Sequence, residues 1–321
     1  MTTYRTAHLL APEYRDISAN EVIPAESFNL DNIREVQKQL IAQADKDPIQ
    51  PDSKWIAPAK GNQPAVDMYV YYPKTRHTST ALPVIYYSHG GGYVMGNARL
   101  SSPMLFAIAE ETGAVVVSLE YRVASETPFP AQINDAYYGL SYLIENADTL
   151  GINRDKIVLM GESGGGGLTA NLSLMVRDKN TFSVAGQVLI YPMLDCRTGG
   201  EHSLYQSKFT GEFIWTPTHN QTAWQILRGS QNIAQNQISY YSASLASDVS
   251  HLPPTCIITA SMDLFVNENL DFANRLIEAG VPTELHIISG VYHGFDHLAP
   301  NLPQAQNLFK WRNEAIQRMI A

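Results

Sequence analysis

Apolar and polar positions along the central chain follow two alternating rhythms. Nearly continuous apolar runs recur at Val66–Tyr72, Pro83–Ser88, Val115–Leu119, Ile157–Met160, Val184–Ile190, Thr255–Thr259 and Glu284–Ile288. Their length and β-branched content read as strands, and continuity instead of alternation marks strands buried on both faces of a parallel sheet. Between them, helical spacing recurs near Met104–Glu111, Ile133–Glu145, Gly165–Arg177 and Glu268–Ala279, and Gln304–Met319 makes a closing helix. The alternation predicts right-handed βαβ crossovers and an open, twisted sheet. Too few residues separate the first two strands for a crossover helix, so those two are expected to pair antiparallel.

Two segments break the rhythm. Residues 1–50 precede the sheet and hold one helical pattern, Asp31–Ala44, entered from an Asn-Leu-Asp cap. Residues 198–241 separate two strands by far more than an ordinary connection, and loops of that length are usually structured and functional. This insert carries Tyr205, Phe209, Phe213, Trp215 and Trp224 beside an Asn/Gln-rich run, His219–Gln237. Aromatics facing in and amides facing out would suit a lid over a pocket; an ordinary helical hairpin on the sheet is the plainer alternative. The expected division is a catalytic core of residues 51–197 and 242–321, with a cap from 1–50 and 198–241.

Composition narrows the class. A 321-residue chain with 45% hydrophobic residues can bury a large core without disulfides or metal. Its net charge of −9 argues against a nucleic-acid partner, which needs a basic footprint. Cys196 and Cys256 are too few for a disulfide scaffold or a four-cysteine metal site and read as reduced thiols. No apolar stretch follows the N-terminal charge as in a secretory signal, and the longest apolar runs are strand-length. A soluble, cytoplasmic protein without stable membrane insertion is expected.

The chemistry enters with Gly161-Glu-Ser-Gly-Gly165, placed between a buried strand and a helix. In that setting a G-x-S-x-G run forms a nucleophile elbow, a sharp turn that forces the serine into a strained backbone conformation. Glycines two residues to either side prevent clashes as the turn folds on itself. Ser163 would then stand at a helix N-terminus, where free N–H groups favour negative charge. A second glycine run, His89-Gly-Gly-Gly-Tyr-Val-Met-Gly96, follows the strand ending at Ser88. Acyl transfer builds charge on a former carbonyl oxygen, and the N–H groups of Gly91, Gly92 and Gly164 would point donors at it. The rival reading, a phosphate loop, lacks the Lys-Ser/Thr of a P-loop and the G-x-G-x-x-G spacing.

A serine nucleophile needs a base, and the base needs an acid to orient it. In an elbow architecture the chain order is serine, acid, histidine. Asp263 and His293 follow the strands Thr255–Thr259 and Glu284–Ile288, at the strand ends where open α/β sheets bind ligands. His297 competes with His293 for the base, and Asp195 with Asp263 for the acid. Glu268 and Asp271 read as acids in the first turn of a helix.

Taken together, these motifs resemble the α/β-hydrolases of the hormone-sensitive-lipase-like esterases, bacterial family IV. The resemblance rests on His89-Gly-Gly-Gly, Gly161–Gly165, Tyr121-Arg-Val-Ala-Ser-Glu-Thr-Pro-Phe-Pro-Ala, Thr259-Ala-Ser-Met-Asp263 and His293-Gly-Phe, and spans residues 66–197 and 240–297. It implies a mostly parallel twisted sheet of about eight strands, helices on both faces and a helical cap. It further implies a triad of Ser163, Asp263 and His293, no cofactor, no metal, and a small-molecule ester as substrate. Short acyl chains are expected, because Tyr93, Phe209, Phe213 and Trp215 would crowd the pocket. An amidase or acyltransferase with the same triad, or a non-catalytic receptor on the same fold, are the alternatives. A homodimer through the last strand is suggested, since sheet edges invite pairing. The chain departs from the family pattern at Glu162 and Gly164, where Asp and Ala are usual. Ser125, Asn97 and the Leu264–Asn267 run also differ. Glu162 reads as a structural carboxylate holding the elbow.

Overall fold

The computed structural model describes residues 4–17, 23–74 and 81–321. Among them, eight strands form one sheet: β1 (Ser53–Ala57), β2 (Val66–Tyr71), β3 (Leu82–Ser88), β4 (Val115–Leu119), β5 (Ile152–Glu162), β6 (Gly186–Ile190), β7 (Thr255–Ala260) and β8 (Thr283–Ile288). Their order across the sheet is β1-β2-β4-β3-β5-β6-β7-β8. From β4 to β8 every pairing is parallel, and β1 and β2 form an antiparallel edge.

The strands expected to pair first, β2 and β3, do not touch as neighbours. Instead β4 lies between them, parallel to β3 (Val84 opposite Val115) and antiparallel to β2 (Met68 opposite Leu119). The crossover after β3 returns β4 to the flank of its predecessor, which displaces β2 one position outward. The edge strand β1 carried no recognisable run. Its Ser-Lys-Trp-Ile-Ala sequence alternates exposed and half-buried positions along an open edge.

Helices cover both faces because the central strands are apolar on both. Along β5, Ile157 and Leu159 face one core while Val158 and Met160 face the other. α1 (Leu30–Lys46) precedes the sheet, and α2 (Ser102–Thr112) follows β3. α3 (Ala131–Glu145) and the one-turn α4 (Ala147–Leu150) lead to β5, and α5 (Gly164–Lys179) follows it. The insert holds α6 (Pro217–Arg228) and α7 (Ile238–Tyr241); α8 (Val266–Glu278), α9 (Phe295–Leu298) and α10 (Pro303–Ile320) complete the chain. α3, α5 and α8 bury Leu140, Leu172 and Phe272 against one face, and α2 and α10 bury Ile108 and Ile316 against the other. Each such side chain contributes about 1.5–3 kcal/mol relative to exposure. α5 begins directly after the nucleophile turn, so its buried packing anchors one end of that turn.

The N-terminal segment and the insert pack on each other. The Asn29 side chain caps α1 by accepting from Asn32 N–H at 3.1 Å, close to where the sequence places the helix start. Phe28 meets Trp215 edge-on at 5.4 Å, and His219 Nε2 donates to the Ile23 carbonyl at 2.9 Å. Glu212 accepts from the N–H groups of Arg5 and Thr6 at 2.8 and 2.7 Å. Phe213, Trp215 and Trp224 are buried, and most amides of the Asn/Gln-rich run face out. Tyr205 and Phe209 break the pattern at 44% and 59% exposed. They belong to an irregular surface stretch, which also exposes Leu204, and lie outside any helix or strand.

Candidate active site

Three strand ends meet over the sheet. β5 ends at Glu162, and Ser163 follows at φ 54° and ψ −122° as the first cap of α5. This is a costly conformation for a residue with a side chain, and it persists because the turn around it is close-packed. A Cβ on Gly161 would lie 2.2 Å from the Gly165 carbonyl oxygen, so the turn closes only with glycine there. Ser163 N–H donates to Ile190 and its carbonyl accepts from Met193, at 2.9 and 3.0 Å, which ties the turn to the end of β6.

Asp263 follows β7, and His293 lies in the turn between β8 and α9. The His293 Nδ1–H donates to Asp263 Oδ2 at 2.6 Å, while Nε2 lies 2.7 Å from Ser163 Oγ. Asp263 Oδ1 accepts from Phe265 N–H at 2.9 Å, so both carboxylate oxygens are held. All three side chains are buried, and the rings of Tyr191, Phe265 and Trp215 surround the imidazole. With Nδ1 protonated, the Nε2 lone pair faces the serine hydroxyl, the arrangement a general base requires.

The glycine segment after β3 approaches the same point. Tyr121 stacks on the His89 ring at 4.2 Å and donates its hydroxyl to the His89 carbonyl at 2.9 Å. Burial pushes the His89 imidazole down to about 4, leaving it neutral. The Gly91 carbonyl accepts from both Val94 and Met95 N–H at 3.1 Å, closing a tight loop. Gly164 packs directly on this segment: a Cβ there would lie 2.5 Å from Tyr93 N.

Gly91, Gly92, Ser163 and His293 line a cavity of about 310 Å³, walled by Leu40, Met95, Asn97, Leu100, Ile214 and Trp215. Of the four aromatic residues expected in the pocket, Trp215 is in it, against Gly92. Phe213 packs behind, on Tyr4 and Tyr292. Tyr93 is buried beside Trp224, and its hydroxyl accepts from Asn171 at 3.3 Å. Phe209 is exposed and is not among the residues that line the cavity. Leu40 and Ile214 were not legible, because nothing local in α1 or the insert marks which residue reaches the cavity. Met95 and Leu100 flank the glycine run and could have been read from that proximity.

The competing residues are engaged elsewhere. His297 Nε2 bonds Glu162 at 3.0 Å rather than Ser163. Asp195 holds Arg197 through both oxygens at 2.8 and 2.6 Å. Asp271 accepts from the exposed Tyr205 hydroxyl at 3.3 Å. Glu268 is more than a helix-start acid: it is buried and accepts from Leu194 N–H at 2.6 Å, Asp195 N–H at 3.2 Å and the Thr198 hydroxyl. Burial raises its carboxyl well above the ordinary range. Among the described residues, two groups bring metal-competent atoms within 4.8 Å, Cys256–Glu284–His286 and Glu162–Asp296–His297. In each, the imidazole already bonds a carboxylate of its own group.

Comparison with known proteins places the chain in a family. The family profile of the alpha/beta hydrolase fold matches residues 85–297. Carboxylesterase NlhH of Mycobacterium tuberculosis is 32% identical over 75% of this chain and 74% of its own. Ethyl acetate hydrolase of Pseudomonas putida is 26% identical over 94% of both chains. The solved structure of a bacterial heroin esterase superposes with a TM-score of 0.86 at 28% identity, covering 98% of this chain and 99% of the other. The chain therefore belongs to the α/β-hydrolase family of hormone-sensitive-lipase-like esterases, which are carboxylic ester hydrolases.

Proposed function

We propose that this esterase hydrolyses short-acyl carboxylic esters through an acyl-enzyme on Ser163. The observation that carries the reading is the continuous Ser163–His293–Asp263 hydrogen-bond chain opening into the 310 Å³ cavity. His293 takes the Ser163 proton as the hydroxyl oxygen attacks the ester carbonyl carbon. The N–H groups of Gly91, Gly92 and Gly164 hold the oxyanion, each donor lowering the barrier by about 3 kcal/mol. The tetrahedral intermediate collapses, His293 protonates the departing alcohol, and a water activated by the same imidazole releases the acid. Asp263 keeps the imidazole in the correct tautomer and stabilises the imidazolium.

The cavity lies at the low end of the range for small-molecule sites, and its surface is mostly apolar. That favours acyl chains from acetyl to hexanoyl, in keeping with a relative named for ethyl acetate. In this reading residues 1–50 and 198–241 form the cap, since Leu40 and Trp215 come from them and both wall the cavity. No described helix is long and apolar enough to cross a membrane, and the proposed substrates are small esters.

A panel of matched p-nitrophenyl esters and anilides tests the assignment. Turnover of butanoyl ester, with anilide turnover orders of magnitude slower, supports an esterase. Preferred anilide turnover would make it an amidase, and ligand binding without turnover of either would make it a receptor.

A further inference from the structure

The carboxylate just before the nucleophile has partners that the reaction above does not use. Glu162 is 7% exposed, accepts from the Tyr87 hydroxyl at 2.5 Å through Oε1 and bonds His297 Nε2 at 3.0 Å through Oε2. Tyr87 lies at the end of β3, just before the His89–Gly92 segment. His297 lies on α9, four residues beyond His293. One side chain thus joins the three segments whose relative placement decides the geometry at Ser163.

We propose that Glu162 and His297 are positioning residues, forming a charged clasp beside the Ser163–His293 hydrogen bond that holds the base over the nucleophile. The inference rests on the catalytic reading of Ser163 and His293 given above. Its physical basis is over-determination: the left-handed Ser163 conformation costs energy and is kept only if its surroundings leave no alternative. An elbow anchored only through the backbone would still let the His293 turn drift, because α9 is a single turn of helix. The clasp joins the two directly.

The clasp is electrostatic as well as geometric. His297 faces Glu162 from β5, Asp296 on its own helix at 4.0 Å, and Arg312 from α10. Asp296 accepts from the Tyr191 hydroxyl at 2.8 Å. Arg312 donates to Asn313, which in turn donates to Glu111 on α2. Glu162 and Asp296 are balanced by His297 and Arg312 only while the imidazole is protonated. His297 is 44% exposed, and the adjacent Glu162 charge lifts its imidazole to about 10. Burial alone would raise the Glu162 carboxyl, but the charge and hydrogen bond of His297, with the Tyr87 bond, bring it down to about 2. The clasp is therefore charged across the neutral range and dissolves as pH rises through about 10.

The test measures kcat and KM on p-nitrophenyl butanoate from pH 6 to 11, with active sites counted by a covalent phosphonate label. Glu162→Gln and His297→Gln are expected to lower kcat per labelled site by about tenfold or more with KM changed less than about threefold, the signature of a misplaced base. The double variant is expected to be no worse than the poorer single one. His297→Arg keeps the cation, so it is expected to rescue kcat and to remain active above the pH where wild type declines. A His297→Gln kcat per site within about twofold of wild type, or an unchanged alkaline limb in His297→Arg, overturns the proposal. As a second readout, NMR titration of the His297 imidazole is expected to shift toward the ordinary histidine range in Glu162→Gln, and an unmoved titration also overturns it. Wild-type turnover by Ser163→Ala would instead sink the nucleophile assignment, and the titration still reads the clasp in that case.

Discussion

Both ends of the Gln37 carboxamide are hydrogen-bonded to one residue, Gly96: Nε2 donates to its carbonyl at 2.9 Å and Oε1 accepts from its N–H at 2.8 Å. Gln37 belongs to α1, ahead of the sheet, and Gly96 closes the loop that carries Gly91 and Gly92. A buried amide of this kind leaves two unsatisfied backbone groups when removed, which costs about 1–3 kcal/mol. Gln37→Leu is therefore expected to lower the unfolding free energy by that amount, read as a lower urea midpoint at unchanged m, and to reduce kcat through a looser glycine loop. Unchanged midpoint and unchanged kcat would show that α1 does not brace the loop.

Removal of the nucleophile is expected to be decisive. Ser163→Ala deletes the hydroxyl that faces His293 and should reduce ester turnover about 10⁴-fold or more, leaving the circular dichroism spectrum and melting temperature near wild type. For the acid, Asp263→Asn disturbs the His293 tautomer and is expected to cost about 10⁴-fold, whereas Asp195→Asn loosens only the Arg197 pair and leaves kcat within about threefold. The opposite ranking in steady-state kinetics would move the acid to Asp195.

Chain-length selectivity is expected to answer to α1. Leu40 is half-buried and walls the cavity, so Leu40→Ala enlarges it at modest cost to stability. The ratio of octanoyl to butanoyl kcat/KM should rise about tenfold or more, the amount that accommodating one buried methylene confers. An unchanged ratio would mean that the acyl chain lies elsewhere.

Stability is expected to fall at alkaline pH before any lysine or tyrosine ionises in the unfolded chain. The folded His297 value, about 10, stands above the ordinary histidine value. Its stabilisation is thus complete below pH 6.5 and declines as pH rises toward and through about 10. Glu162 works in the opposite sense: lowered to about 2, it stabilises above its ordinary value and loses that contribution only as pH falls through about 2. Thermal melts from pH 7 to 10.5 should show a steeper decline for wild type than for His297→Gln, and parallel curves would contradict this.

The last strand, β8, lies at the sheet edge, with Ile287 45% exposed, and we propose it as the contact between two copies. Light scattering is expected to give twice the chain mass for wild type and a single chain for Ile287→Lys. A wild-type mass of one chain ends the idea.

The sequence by itself determined the central strands, the helices between them and the residues able to do chemistry. Val115–Leu119 coincides with β4, and the other strand runs lie within two residues of the observed ends, except that β5 begins five residues before Ile157 through the polar Asn153–Lys156, since buried parallel strands need unbroken apolar runs only where both faces are covered. Ser163, Asp263 and His293 were legible because glycine spacing and chain order are local or one-dimensional properties. What the sequence left open was which non-local surfaces meet. The position of β4 between β2 and β3, the half-exposed β1, and the outward-facing Phe209 depend on which neighbour covers each segment. The same holds for the cavity wall, where Leu40 arrives from a helix far from Ser163 in the chain. Glu162 was marked as structural by its position beside the nucleophile, but its partner was not, because His297 lies 135 residues away and reaches it only once the sheet has closed. Pattern reports what a residue can bury or donate; only packing decides against what.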